Sequence, residues 1–148
     1  MVIFDIDGVL SEASEREKVL EKVKNSSEIN WKEFFSDCEF DLPIRAGMII
    51  AKSIINYLPQ QDILFLTARS EIVRNKTMKW LSEHLGVSED KIDLTMRPEN
   101  NIDEDVLFKE EVGREIGFKN IDFVIEDKEK IVDMWRSHGV ICYQSKGD

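Results

Sequence analysis

Short apolar runs alternate with longer segments of mixed polarity along this chain of 148 residues. The apolar runs predict five β-strands, at residues 2–4, 62–67, 92–96, 121–125 and 140–143. Between the strands, apolar residues recur at the three- and four-residue spacing of one helix face. Strands that alternate with helices of about ten to fifteen residues form parallel βαβ units. The pattern therefore predicts an α/β fold, a three-layer α/β/α sandwich with a mainly parallel Rossmann-like sheet.

Capping and helix-breaking residues set the bounds of the predicted helices after the first strand. One helix follows Pro43 and stops at Pro59; the next is capped by Ser70 and stops at Gly86; a third begins at Asp103 or Asp105 and runs to about Ile116; the last is capped by Asp127 and ends at Gly139. Each of these helices connects two predicted strands, as a parallel sheet requires.

The segment from about residue 11 to residue 42 is predicted to be a compact helical insertion. It contains a helix-favouring stretch at residues 15–25 and then a second short helical stretch with Trp31, Phe34 and Phe35. Two interpretations remain open: a small cap or lid over a site, or a purely structural helical hairpin. The three aromatic side chains either pack in the core or stack on a base. We expect residues 1–148 to form a single domain that carries this small helical cap.

Composition limits the possible classes of protein. A content of 42% hydrophobic and 34% charged residues fits a globular domain, and no apolar run approaches the roughly 18 residues of a membrane span. The chain starts directly in a strand, so we expect a cytoplasmic protein. Cys38 and Cys142 are expected to be free thiols. A formal charge of −10 opposes non-specific binding to a polyanion, so any contact with nucleic acid should be local or assisted by a cation.

Two acids stand directly after the first predicted strand. Asp5 ends the apolar run and Asp7 follows two residues later, with Gly8 able to turn the backbone. Open α/β sheets bind ligands at the carboxyl ends of their strands, so both carboxylates should face that crevice. An Asp/Gly turn without function is the alternative for this stretch alone. Three more strand ends carry polar residues that should converge on the same edge: Thr67, Ala68 and Arg69; Arg97; and Glu126 and Asp127.

These residues form a pattern similar to a known superfamily. The segments FDIDGVL and FLTAR, then Lys109, then FVIEDK resemble, in this order, the four motifs of the haloacid dehalogenase (HAD) superfamily of phosphohydrolases. The stretches MRPENNIDEDVLFKEEV and IVDMWRSHGVICYQSKGD resemble more specifically the 3′-phosphatase domain of phage polynucleotide kinase and its stand-alone relatives. A kinase phosphate loop, G-x-x-x-x-G-K-[ST], does not occur in the sequence, so only the phosphatase half of the comparison applies.

The resemblance implies a Mg²⁺-dependent phosphomonoesterase that acts through an aspartyl-phosphate. Its substrate would be a phosphorylated nucleotide or a nucleic-acid 3′ end. Asp5 would be the nucleophile, and Asp7 the acid and base that serves both displacement steps. The resemblance assigns Mg²⁺ to Asp5, the backbone carbonyl of Asp7, and Asp127. Glu126 departs from the usual Asp-Asp pair, so three roles stay open for it: direct metal binding, binding through water, or orientation of Lys109.

Phosphate binding falls to Thr67, Ala68 and Lys109, which would offer a hydroxyl, backbone N–H groups and a positive charge. Arg69, Arg97 and Arg16 are candidates for substrate binding, and Arg69 and Arg97 could instead brace the acids. Asp105 also falls where the phosphatase group carries polar site residues. Relatives often carry a basic residue near Asp103, where this chain has an acid, which weakens the case for a long nucleic-acid substrate.

Two other functions remain open. A small-molecule or deoxynucleotide phosphatase is favoured by the charge of −10. A metal- and phosphate-binding module without turnover is favoured only by Glu126. The oligomeric state is not specified by any feature of the sequence.

Overall fold

A five-stranded parallel sheet forms the centre of the protein. The computed structural model describes residues 1–14, 16, 18 and 36–145. The strands are β1 (Val2–Phe4), β2 (Ser11–Glu12), β3 (Leu42–Pro43), β4 (Ile63–Ser70), β5 (Leu94–Arg97), β6 (Phe123–Glu126) and β7 (Cys142–Gln144). Between the strands lie the helices α1 (Arg45–Tyr57), α2 (Arg74–Leu85), α3 (Asp105–Ile116) and α4 (Glu129–Ser137).

Strand β1 occupies the middle of the sheet, whose strand order is β5-β4-β1-β6-β7. It pairs in parallel with β4 on one side and with β6 on the other. The chain crosses from one half of the sheet to the other next to β1, which is the topological switch point where α/β proteins bind ligands. The first strand therefore points its carboxyl end at the crevice between the two halves.

Helices cover both faces of the sheet. On one face, Phe4 packs in a buried cluster with residues of α1 and α2, including Met48 and Trp80. On the other face, Ile3 packs with residues of α3 and α4, including Phe108 and Trp135. Successive residues of a strand point to opposite faces, so this short apolar run feeds both cores. The predicted three-layer α/β/α architecture is confirmed.

Several predicted element bounds differ from the structure. Ser11 does not begin a helical segment, because β2 pairs with β3 in a small antiparallel sheet that closes the insertion at its base. Strand β4 continues beyond Thr67 as far as Ser70, and its pairing with β5 is irregular between these residues. Asp127 does not cap α4, whose N-cap residue is Lys128. Ser70 does cap the next turn, where its side chain accepts a hydrogen bond from the Ile72 N–H.

The predicted helix at residues 15–25 and the aromatic residues Trp31, Phe34 and Phe35 lie outside the described residues, apart from Arg16 and Lys18. The cap and the single-domain organisation stay predictions. Cys38 and Cys142 are free and buried, as expected. Among the described helices, none has the length and apolar character that a bilayer crossing requires.

A close backbone contact fixes α1 against the loop that follows β1. A Cβ atom at Gly47 would lie 1.9 Å from the Val9 carbonyl oxygen, so only glycine allows this approach. The same loop is tightly wound, because Leu10 and Ser11 both donate their N–H groups to the Ile6 carbonyl. The backbone around the two aspartates is therefore held from two sides.

Candidate active site

Asp5 lies at the carboxyl end of the central strand and is 5% exposed. Its N–H donates to the Ile125 carbonyl at 3.0 Å, which continues the pairing of β1 with β6. Its Oδ1 accepts a hydrogen bond from the Ile6 N–H at 2.8 Å. Its Oδ2 lies 2.9 Å from the Lys109 Nζ. The carboxylate is thus fixed in orientation by the backbone and by one cation.

Lys109 joins Asp5 to Glu126 beneath the site. The lysine is 2% exposed and donates to the Glu126 Oε2 at 2.6 Å. The other oxygen of Glu126 accepts hydrogen bonds from the N–H groups of Asp127 and Lys128. Both oxygens of Glu126 therefore already have partners within the protein. The contact with Lys109 is compatible with one of the three roles that the sequence left open, orientation of Lys109, and the role of Glu126 stays a prediction.

Asp127 completes a cluster of acids around Asp5. Oxygen atoms of Asp5, Glu126 and Asp127 lie within 4.8 Å of one another. The Asp127 Oδ1 is buried and accepts no hydrogen bond from the described residues. Gly8 makes room for this carboxylate, because a Cβ atom there would lie 2.1 Å from the Asp127 Oδ2. An oxygen cluster with an unpartnered buried oxygen fits a hard divalent cation.

The charge balance of this cluster supports the same interpretation. Three carboxylates lie around the ammonium of Lys109, and the charge of Lys128 also acts on Asp127. Burial raises the pKa of Asp5, and the negative charge of Glu126 raises it further, while Lys109 opposes both effects. Burial and the charge of Asp5 raise the pKa of Asp127 to about 6. The surplus of negative charge is what a bound cation would compensate.

Asp7 belongs to a separate group of charges. Burial raises its pKa, but Arg69 and Arg16 outweigh that effect and lower the pKa to about 2. Its Oδ1 accepts hydrogen bonds from the Arg69 Nη2 at 2.6 Å and from the Arg16 Nη2 at 2.8 Å. Its side chain is 22% exposed, so the carboxylate borders the crevice. The two arginines hold Asp7 ionised and in place.

Asp41 provides the second negative charge opposite the two guanidinium groups of Arg16 and Arg69. This residue was not predicted from the sequence. Its Oδ2 lies 2.6 Å from the Arg16 Nη2 and 3.0 Å from the Arg69 Nη2. The Ser11 hydroxyl also donates to it, at 2.7 Å. The pairing of β2 with β3 carries Asp41 to this position from the far end of the insertion. No local sequence signal marks that long-range pairing.

Arg69 is 1% exposed, and its side chain is enclosed by partners. Besides the two aspartates, its guanidinium donates to the Ser11 hydroxyl at 3.1 Å and to the Thr77 hydroxyl at 3.3 Å. Of the two roles considered for Arg69, bracing the acids is the one that these contacts perform. Substrate binding by Arg69 and Arg16 stays a prediction.

Thr67 lies beside the acids on β4. It is 1% exposed, and its hydroxyl oxygen accepts a hydrogen bond from the Arg69 N–H at 3.2 Å. The hydroxyl proton remains available as a donor. Ala68 follows at the surface, half-buried. Their assignment to phosphate binding stays a prediction.

Arg97 and Asp105 form the outer edge of the site. They make an ion pair, and the Arg97 Nη1 donates to the Asp103 carbonyl at 2.6 Å. Asp105 also pairs with the Lys128 Nζ at 2.7 Å, and thereby connects the ends of β5 and β6. Substrate binding by Arg97 stays a prediction. The contacts observed for Arg97 hold the loop that starts α3.

The family model described as the polynucleotide kinase PNKP phosphatase domain matches residues 1–148. No curated protein sequence matches the chain.

Solved structures share the fold. A chain of the Pnkp1/Rnl/Hen1 complex superposes with a TM-score of 0.69 at 24% identity, over 99% of this chain and 46% of that one. This chain thus spans less than half of that neighbour. A HAD family enzyme from Bacteroides thetaiotaomicron, solved with magnesium and inorganic phosphate, has a TM-score of 0.55 at 13% identity and covers 99% of this chain and 95% of its own. The HAD domain of an effector protein from Legionella pneumophila has a TM-score of 0.56 at 14% identity, covering 98% and 85%.

Proposed function

The chain belongs to the polynucleotide kinase PNKP phosphatase-domain family, and from that membership we propose that it removes 3′-phosphates from nucleotides or nucleic-acid ends. The proposed reaction is a magnesium-dependent hydrolysis that passes through an acyl-phosphate on Asp5. One observation carries the proposal: the Asp5 carboxylate stands at the end of the central strand, with Lys109 at 2.9 Å and a cluster of acids suited to a cation around it.

In the first step, a carboxylate oxygen of Asp5 attacks phosphorus and the bond to the leaving oxygen breaks. The product is an acyl-phosphate on Asp5 and a free hydroxyl on the substrate. The carboxylate is already oriented by the Ile6 N–H, so little freedom is lost on reaching the transition state. Lys109 and the Thr67 hydroxyl are assigned to the oxygens of the transferred phosphoryl group, where negative charge must be balanced.

Asp7 is assigned to proton transfer. A water molecule hydrolyses the acyl-phosphate in the second step, and the ionised Asp7 suits the removal of its proton. Protonation of the leaving oxygen in the first step requires the acid form of Asp7. Since Arg69 and Arg16 favour the ionised form, we infer that Asp7 releases at least one guanidinium before it acts as the acid.

The chain's residues fit a magnesium site formed by Asp5, Asp127 and the carbonyl of Asp7. When bound there, Mg²⁺ neutralises negative charge on the nucleophile and on the phosphate. Glu126 belongs to the same acid cluster, but we assign it no direct metal contact, because its hydrogen bonds hold Lys109 and the turn that follows β6. We assign Glu126 to the orientation of Lys109.

The proposal that the phosphate is a 3′-phosphate is supported by the family and by the complex in which a structural neighbour was solved. A chain with this fold, Pnkp1, was solved in an RNA repair complex with Rnl and Hen1. A role in the repair of nucleic-acid ends is therefore proposed here as well. The charge of −10 favours binding of only the terminal nucleotides, because a long nucleic acid would need an extended basic surface on the protein. The same charge supports the second candidate, a phosphatase for free nucleotides.

Parallel assays of phosphate release distinguish these candidates. We expect turnover of a 3′-phosphorylated oligonucleotide and of a nucleoside 3′-monophosphate with Mg²⁺, and none after its removal by a chelator. The oligonucleotide with a 5′-phosphate is the matched control and should be inert. Turnover of the mononucleotide alone would place the protein in nucleotide metabolism, whereas equal hydrolysis of the 5′-phosphate would contradict the proposed function.

Gly8→Ala tests the space that the acid cluster needs. The new methyl group would lie 2.1 Å from Asp127, and the φ of 78° at this position disfavours any side chain. We expect the Mg²⁺ concentration for half-maximal activity to rise about 10-fold or more, since displaced ligands bind metals more weakly. Gly86→Ala is the control, because its φ is 72° and nothing lies near its Cβ position. An unchanged Mg²⁺ requirement in Gly8→Ala would contradict the assigned role of Asp127.

A further inference from the structure

A cavity of about 490 Å³ opens beside the assigned phosphate-binding residues. It lies between the end of β4, at Ala68 and Ser70, and the loop that follows β5, at Pro98 and Ile102. Its size falls in the ordinary range of small-molecule pockets. It shares Ala68, Arg97 and Asp105 with the candidate active site and otherwise lies outside it. A substrate whose phosphate lies at Thr67 and Ala68 would extend its leaving group towards this cavity.

Part of the cavity wall consists of apolar side chains that face solvent. Ile102 is 95% exposed and Ile72 is 48% exposed, and both side chains line the cavity together with Pro98. Ile72 lies in the short helical turn after β4 and Ile102 in the loop after β5, so the two side chains come from segments that follow neighbouring strands. Because both isoleucine side chains are exposed, neither of them stabilises the hydrophobic core. A flat apolar ligand that entered between them would cover both side chains.

Among the described residues, those on the rim of the cavity supply hydrogen-bond acceptors but no cation without an ion-pair partner. Arg97 lines the cavity, yet its guanidinium is engaged by the Asp103 carbonyl and by the Asp105 carboxylate. Glu99 and Asp103 contribute exposed carboxylates. A second phosphate group would be repelled here, whereas a neutral group that carries N–H donors would be attracted.

We propose that this cavity is a nucleobase subsite, which holds the base of the nucleotide whose 3′-phosphate reaches Asp5. This inference rests on the proposed function and adds to it a specificity for the leaving group. A base presents two apolar faces to Ile72 and Ile102, and its edge meets the acceptors on the rim. Guanine, adenine and cytosine carry an exocyclic amino group with two N–H donors, whereas the edge of uracil offers only the single N3–H. The subsite therefore favours the three amino-bearing bases over uracil.

Binding to the Asp5→Asn protein tests the subsite without turnover. Calorimetric titrations with Mg²⁺ present would compare guanosine 3′-monophosphate, uridine 3′-monophosphate and abasic deoxyribose 3-phosphate. We expect affinity to fall in this order, with about a 10-fold loss from the first ligand to the last. Ile102→Ser in the same background should weaken the binding of guanosine 3′-monophosphate about five-fold and leave the affinity for the abasic phosphate unchanged. Ile49→Ser, an exposed isoleucine on α1, is the matched control and should change neither.

Equal affinity for all three ligands, or an Ile102→Ser protein that binds them as its parent does, would overturn the subsite. A second pair of variants tests the rim. Glu99→Gln and Asp103→Asn should reduce the preference for guanosine over uridine, and an unchanged preference would overturn the role of the acceptors. Failure of the proposed function has a different signature, because the wild-type protein would then hydrolyse no 3′-phosphate whichever base it carried.

Discussion

Asp5→Asn is expected to abolish phosphate release, with a loss of at least about 10³-fold, because it removes the nucleophile on which both chemical steps depend. The amide has nearly the same shape as the carboxylate and can still accept the hydrogen bond from the Ile6 N–H. It cannot form the acyl-phosphate. Initial rates with a 3′-phosphorylated oligonucleotide, at saturating Mg²⁺, provide the measurement.

An acid quench adds a positive readout for the same step. Wild-type protein stopped during turnover should carry one phosphate on the peptide that contains Asp5, and the Asp5→Asn protein should carry none. Asp127→Asn is the informative comparison, because it alters the acid cluster but leaves the nucleophile intact. Phosphate found on another residue, or an Asp5→Asn protein with activity near wild type, would rule out the proposed intermediate.

The sequence was sufficient to predict the location of residues that directly follow a β-strand. Asp5 follows an apolar strand, and the carboxyl ends of parallel strands meet at one edge, so its position follows from the fold. Glu126 and Asp127 were located by the same argument. Lys109 was located through the family motif, and its position on α3 brings it under the sheet edge.

Residues placed by long-range pairing could not be predicted in this way. Asp41 reaches the arginines only because Ser11–Glu12 pairs with Leu42–Pro43, and two residue pairs in a short antiparallel ladder leave little trace in a sequence. The direction of the Arg69 side chain could not be predicted from the sequence either. An arginine next to a site can reach outward to substrate or inward to acids, and the partners that decide between them lie far away in the chain.

Glu126 illustrates how one methylene changes a role. Its side chain reaches back far enough to accept from Lys109 with one oxygen and from two backbone N–H groups with the other. That arrangement leaves no oxygen without a partner. This departure from the usual Asp-Asp pair is therefore compatible with the proposed phosphatase, in which Glu126 would hold Lys109 and Asp127 would offer its unpartnered oxygen to the cation.

Arg69→Leu is expected to cost about 3–5 kcal/mol of folding stability, because it removes a buried guanidinium and leaves Arg16 alone to compensate the charges of Asp7 and Asp41. Activity should fall as well, since Asp7 loses one of the two groups that position it. Arg74→Leu is the matched control. Arg74 is about one-third exposed and pairs with Glu71, so its loss should cost less than about 1 kcal/mol. Denaturant unfolding of the two variants gives the comparison.

A second substitution separates the two consequences of removing Arg69. Asp41→Asn in the Arg69→Leu background removes one of the uncompensated charges and should recover part of the lost stability. It should not recover activity, because Asp7 still lacks the Arg69 guanidinium that donates to both of its oxygens. Recovery of both properties together would mean that Arg69 acts only through stability. If Arg69→Leu lost no more stability than Arg74→Leu, the charges of Asp7, Asp41, Arg16 and Arg69 would not be coupled.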